Sequence, residues 1–154
     1  NIGSGQIGAQ HFQWGGGVSG QVLVRGAGAE PQWANRIQPI EIIIDGGGSA
    51  ITSGLKGHIE VPYAYVLNQA TTLADQSGSI RVDIWKDSYA NYPPTAVDTI
   101  NSSVPIFLSS VVKAQDTTLT NWVKNLNSGD ILAFYTNAAS SIQLLTVSLR
   151  GVKV

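Results

Sequence analysis

From Ile37 to the end of the chain, apolar residues recur at every second position in short runs, and glycine or proline closes most of them. A spacing of two puts the apolar side chains on one face of an extended strand; a helix would scatter them around its axis. Ile40, Ile42 and Ile44 alternate with Glu41, Ile43 and Asp45 before Gly46-Gly47-Gly48 breaks the run. His58-Ile59-Glu60-Val61 stops at Pro62, and a further strand starts at Tyr63 and extends toward Leu73. Asp75-Gln76-Ser77-Gly78 reads as a turn, after which Ile80, Val82 and Ile84 alternate with Arg81, Asp83 and Trp85. The polar stretch from Asp87 to Ser103 contains Pro93-Pro94, which cannot donate to a ladder. Pro105 to Leu108 reads as an edge strand, Thr120 to Leu126 as one helical turn, and Asn127 to Asp130 as a turn. The strands Ile131 to Tyr135 and Ile142 to Val154 follow. Eight or so short strands without a helical stripe predict an all-β fold from Ile37 to Val154, an antiparallel β-sandwich of jelly-roll type.

Residues 1–36 are different. They hold nine of the 17 glycines and few aliphatic residues beyond Val22-Leu23-Val24. Such a segment cannot bury enough apolar area to offset the entropy of ordering alone. It is expected to be either a flexible linker or an extended, shaft-like arm that orders only against copies of itself or a partner. Val22, Val24 and Trp33 are its candidate interface residues.

Charged residues make up 12% of the 154, about half the usual share, and the formal net charge is −1. The nine basic residues form no run, so the chain lacks the basic surface that binding nucleic acid requires. No apolar stretch has transmembrane length, and no membrane insertion is expected. Cysteine is absent, which removes disulfides, thiolate metal sites and cysteine nucleophiles. Methionine is absent too, and the expectation is a processed product or a part of something longer.

The chemistry-bearing residues do not assemble into a motif. His11 lies in the glycine-rich arm and His58 at a strand start, without a second histidine at ligand spacing. No Gly-x-Ser-x-Gly elbow is present, although a triad of residues distant in sequence stays open. Gly15-Gly16-Gly17 lacks the lysine and the helix of a phosphate loop. Asp75 and Asp98 stand in turn contexts, Asp83 and Asp87 share a strand face too far apart to pair directly, and no compact loop gathers the oxygens that calcium takes. The expectation is no enzyme, no metal and no cofactor.

Aromatic residues are more informative. Period two places Trp85 on the same face as Arg81, Asp83 and Asp87, with Tyr89, Asn91 and Tyr92 in the following loop. A tryptophan beside polar groups can stack on a sugar face while its neighbours take the hydroxyls. The first expectation is that its ring is buried in a second sheet or a subunit interface. Trp85, Asp87, Tyr89, Asn91 and Tyr92 are the candidate ligand-binding residues.

Several segments resemble a known family. Gly20-Gln21-Val22-Leu23 with Gly26-Ala27-Gly28-Ala29-Glu30-Pro31-Gln32-Trp33 is similar to a segment of phage tail fibres that sits just upstream of a C-terminal head. Residues 38–154 resemble a head domain at the C-terminus of tailed-phage structural proteins. The landmarks are Ile44-Asp45-Gly46-Gly47-Gly48, Gly54 to Gly57, Leu73 to Ile80, Val82-Asp83-Ile84-Trp85-Lys86-Asp87, Tyr92-Pro93-Pro94-Thr95 and Gly129-Asp130-Ile131-Leu132. The resemblance implies a homotrimeric virion component, a fibre tip or receptor-binding head at the particle surface. Its expected partners are copies of itself, other virion proteins and a host surface glycan or protein. A capsid decoration or head-fibre protein is the alternative, and a glycan depolymerase a second one.

Overall fold

The structure, a computed structural model, describes residues 21–25, 31–35, 38–101 and 104–154. Its contacts divide the chain into two units, Asn1–Arg36 and Ile37–Val154. The described part of the first is an antiparallel pair, β1 (Gln21–Arg25) and β2 (Pro31–Asn35). Its register sets Val22 opposite Ala34, Leu23 opposite Trp33 and Val24 opposite Gln32. Directly opposed residues share a face. Val22 and Val24 therefore lie on one face of the hairpin. The rest of the arm lies outside the described residues, His11 included.

The second unit is all antiparallel β, as the period of two predicts. Its strands are β3 (Ile40–Asp45), β4 (Gly54–Glu60), β5 (Tyr65–Ser88), β6 (Ile106–Asp116), β7 (Asn125–Leu126), β8 (Asp130–Thr136) and β9 (Leu144–Lys153). The 24-residue β5 organises the rest. Its first half pairs with β9, which pairs with β3; its second half pairs with β8, which pairs with β4. β6 follows the other edge of β5 through both halves, and β7 adds two residues beside Tyr65 and Val66. Two sheets thus share a pair of long bent strands, giving a jelly-roll-like sandwich nearly closed into a barrel. At the opposite side the sheets approach where Gly57 faces Ile42, leaving a Cβ on Gly57 only 3.2 Å from the Ile42 side chain.

The sequence predicts a turn at Asp75-Gln76-Ser77-Gly78, but the strand runs through it. The polar residues there tie a corner. Asp75 accepts from the amides of Gln143 and Leu144, Gln76 donates to the Ser141 carbonyl, and Ser77 donates to the Ser110 carbonyl. Ser110 itself sits at φ +55°, where β6 kinks alongside. These partners replace the turn's own hydrogen bonds, so the strand bends from one sheet into the other. Gly78 is required at that point. A Cβ there would stand 2.5 Å from Ser141 Oγ and 2.8 Å from Ile142 Cγ1.

Two further expectations are corrected. Thr120 to Leu126 is not helical; Leu119 and Asn121 have positive φ, and Asn125–Leu126 is strand. The edge strand predicted for Pro105 to Leu108 runs on to Asp116. The turn at Asn127 to Asp130 does form, with Gly129 at φ +84° and the Asp130 amide donating to the Asn127 carbonyl.

The core lies between the sheets. β5 contributes Tyr65, Leu67 and Ala70 from one half and Ile80, Val82 and Ile84 from the other. The parity switch between Leu67 and Ala70 is a bulge opposite β9, which keeps both halves facing inward. Leu132 and Phe134 of β8 and Leu145, Val147 and Leu149 of β9 complete the interior.

Candidate functional site

The outer face of the sheet β4-β8-β5 collects the aromatic residues. The β5–β8 register pairs Asp83 with Tyr135, Trp85 with Ala133 and Asp87 with Ile131. Across β8, Leu55, His58 and Glu60 of β4 oppose the same three residues. A single surface therefore carries Trp85, Asp83, Asp87, Tyr135, His58 and Glu60. Trp85 is half-buried here, not in the second sheet. Its ring stacks on that of Tyr135 with centroids 5.1 Å apart and planes 20° from parallel.

The loop after β5 returns to this face. A single turn of 3-10 helix spans Tyr89–Asn91 and a second spans Ala96–Asp98, closed by Thr95 and Asp98 through a reciprocal capping box. The end of the loop docks on the free edge of β5. The Ile84 amide donates to Asn101 Oδ1 (2.9 Å), Asn101 Nδ2 donates to the Val82 carbonyl (3.1 Å), and the Ile100 amide donates to the Ile84 carbonyl. Asn101 is fully buried, so its amide takes the place of a strand neighbour where β6 no longer pairs. Thr99 forms an antiparallel backbone bridge with Trp85.

At the start of the loop Asp87 does structural work. Its Oδ1 accepts from the Ser88 amide at 2.7 Å and from Asn91 Nδ2 at 3.1 Å. The Ser88 amide first, and Asn91 second, hold its carboxyl below the usual carboxylate range. Asp87 and Asn91, predicted to meet a ligand, therefore brace the turn that presents Tyr89 and Tyr92. Those two rings are 79% and 54% exposed.

The five predicted residues do not converge on one pocket. Tyr89 and Tyr92 line a groove of about 430 Å³ with His58, Glu60 and Ile131. The Tyr92 ring lies 5.0 Å from that of His58, whose Nε2 is shielded from solvent and has no hydrogen-bond partner. Trp85 lines a separate groove of about 490 Å³ with Arg81, Asp83, Ala96, Thr99 and Tyr135. Arg81 Nη2 pairs with Asp83 Oδ1 at 3.2 Å on its rim. Lys86 points to the other side of the strand and pairs with Asp130 at 3.2 Å.

Sequence reasoning missed Tyr135, Thr99 and Ala96 as companions of Trp85. Ile131 to Tyr135 is a continuous apolar run, so its sequence does not mark which residues face outward; the register with β5 brings Tyr135 to Trp85. Among the described residues, no group of three or more histidines and carboxylates stands close enough to hold a metal ion.

No protein family and no curated protein sequence matches the chain. A solved structure of infectious bursal disease virus, Gx strain, superposes with a TM-score of 0.28 at 8% identity. The match covers 81% of this chain and 39% of that one, so the chain spans about two fifths of the other's length. A likeness this distant informs neither fold nor function.

Proposed function

We propose that the chain is a bacteriophage virion component, the receptor-binding head of a tail fibre, which contacts the host cell through the outer face of β4-β8-β5. The family resemblance supplies the setting. The observation that carries the reading is the braced loop of residues 88–101, which holds Tyr89 and Tyr92 outward above a sheet face already rich in aromatic rings. Rigid aromatic side chains give contact area at low entropic cost, as binding loops on sandwich scaffolds do. Copies of the chain associate as a homotrimer in this reading, and the glycine-rich arm orders in the assembly.

The test is binding of fluorescently labelled protein to a panel of bacteria. Strain-selective labelling is expected, with Tyr89→Ala and Tyr92→Ala together reducing it about tenfold or more at unchanged stability. Labelling that ignores both substitutions would remove the receptor-binding role. Gold-conjugated antibody on intact particles separates the alternatives, since a fibre tip labels the tail and a decoration protein labels the capsid.

A further inference from the structure

We infer that the groove beside Trp85 is a saccharide subsite, taking one neutral pyranose ring of a surface glycan. The inference rests on the receptor-binding reading above and adds to it a ligand class and a set of contacts. Three observations combine.

The first is the wall. The stacked rings of Trp85 and Tyr135 line the groove together, and stacking fixes the position of each. An aromatic face carries a negative quadrupole and packs well against the slightly positive C–H face of a sugar.

The second is the rim. Arg81 Nε and Nη2 both donate to the same oxygen, Asp83 Oδ1, at 3.4 and 3.2 Å. Asp83 Oδ2 and the remaining guanidinium hydrogens are left for other partners. A charged acceptor and a charged donor thus stand next to each other beside an aromatic wall. Adjacent hydroxyls of a pyranose match that pattern, because each can both donate and accept, and charge-assisted bonds of this kind are the strong ones. The Arg81–Asp83 pair also cancels its own charge. That disfavours a phosphate or another polyanion, which would need unopposed cations.

The third is shape. The groove of about 490 Å³ falls within the range of about 300–1,000 Å³ for small-ligand clefts. It is open along the sheet face, which suits one unit of a chain that continues beyond it. Ala96 and Thr99, from the docked end of the loop, form its far side. Thr99 is positioned by its bridge to Trp85.

The experiment is saturation-transfer NMR on the full chain with glucose, galactose, mannose, N-acetylglucosamine and rhamnose in turn. At least one sugar should receive saturation on the C–H protons of a single ring face. Arg81→Ala, an exposed position that leaves the core intact, and Tyr135→Ala should each weaken that sugar's affinity about tenfold. Tyr89→Ala, in the neighbouring groove, should not. Unfolding midpoints of all variants are measured, and Asp83→Asn repeats the rim test without changing side-chain size. If no sugar receives saturation, or if transfer survives Arg81→Ala, Asp83→Asn and Tyr135→Ala, the subsite is overturned. Cell labelling run in parallel separates the two readings. Labelling that persists while every sugar fails leaves the receptor-binding head standing and removes the saccharide subsite. Sugar binding without cell labelling does the reverse.

Discussion

The two halves of β5 have the same inside and different outsides. Both bury an apolar row in one core: Leu67 and Ala70 in the first half, Ile80, Val82 and Ile84 in the second. On the outside, the first half belongs to a sheet whose surface mixes aliphatic, polar and charged residues. Its register places Ile43, Thr146, Leu73 and Lys113 in one row and Glu41, Ser148, Thr71 and Gln115 in the next. The second half carries Trp85, the Arg81–Asp83 pair and the return of the aromatic loop. One strand therefore serves a single folding role along its whole length and, in the proposed reading, a recognition role along half of it. Stability resides in the inward residues of either half, and the proposed recognition would fall to the outward residues of the second.

Neighbours on β8 give the strongest test of that separation. Phe134 faces the core with no exposed surface, while Tyr135, one residue on, faces out and stacks on Trp85. Phe134→Ala should cost about 3–5 kcal/mol, through lost transfer energy and a residual cavity. Tyr135→Ala removes an aromatic pair worth about 0.5–1.5 kcal/mol and should leave the fold standing. Urea unfolding of both variants measures the difference. If the Tyr135 variant proved as unstable as the Phe134 variant, the outer face would be part of the core and the separation would fail.

Asn101 joins the two roles, so its replacement should come second in size. It lies in the loop yet is fully buried, and it satisfies the Ile84 amide and the Val82 carbonyl at once. Asn101→Ala leaves both backbone groups without partners, at about 1–3 kcal/mol for each one that stays dry. It should also release the end of the loop from β5 and so disturb the wall formed by Ala96 and Thr99. A lowered unfolding midpoint together with weaker cell labelling is expected. An unchanged midpoint would mean that water replaces the amide and that the loop is not held this way.

The part of this arrangement that was legible in the sequence is the part governed by period two. Ile40-Ile42-Ile44 and Ile80-Val82-Ile84 announced strands, the inward face and the all-β class, and Trp85 was correctly placed with Arg81, Asp83 and Asp87. The corner at residues 75–78 was not legible. Asp, Ser and Gly favour turns because they satisfy local backbone groups, and here distant partners at Ser110, Ser141 and Gln143 satisfy them instead. The split between the two grooves was hidden for a similar reason. Trp85, Tyr89 and Tyr92 are close in sequence, but Tyr135 and His58 draw them to different places through strand register. Asp87 and Asn91 read as ligand contacts because they are polar and near aromatics; the hydrogen bond between them, which braces the turn, was not legible.

The smallest expected effect concerns two carboxylates, one at the base of the aromatic loop and one at the end of β6. Asp116 is partly buried, which alone would raise its pKa. The amides of Thr118 and Leu119, both donating to its Oδ1, outweigh that and hold the carboxyl below the usual range. Asp87 is shifted in the same direction by the Ser88 amide and Asn91. For both groups the folded pKa is depressed, so the unfolded chain binds the proton first as pH falls. Their contribution is fully present above the unfolded carboxylate value of about 4 and is lost as pH drops through the folded one. The two losses should differ in reach. Asp116 orders the turn that places the buried Leu119, so its protonation should lower the global unfolding midpoint below about pH 4. Asp116→Asn keeps the acceptor oxygen without the titration and should flatten that part of the pH profile. Asp87 braces only residues 88–91, the end of β5 and the turn that follows it, so its protonation should open the turn locally. Amide exchange at Ser88, corrected for the intrinsic pH dependence of exchange, should then quicken relative to the core of β8 as pH falls, with the midpoint unmoved by Asp87→Asn. If Asp87→Asn moved the midpoint as far as Asp116→Asn did, the loop would be coupled to the core and its base could not be treated as a local brace.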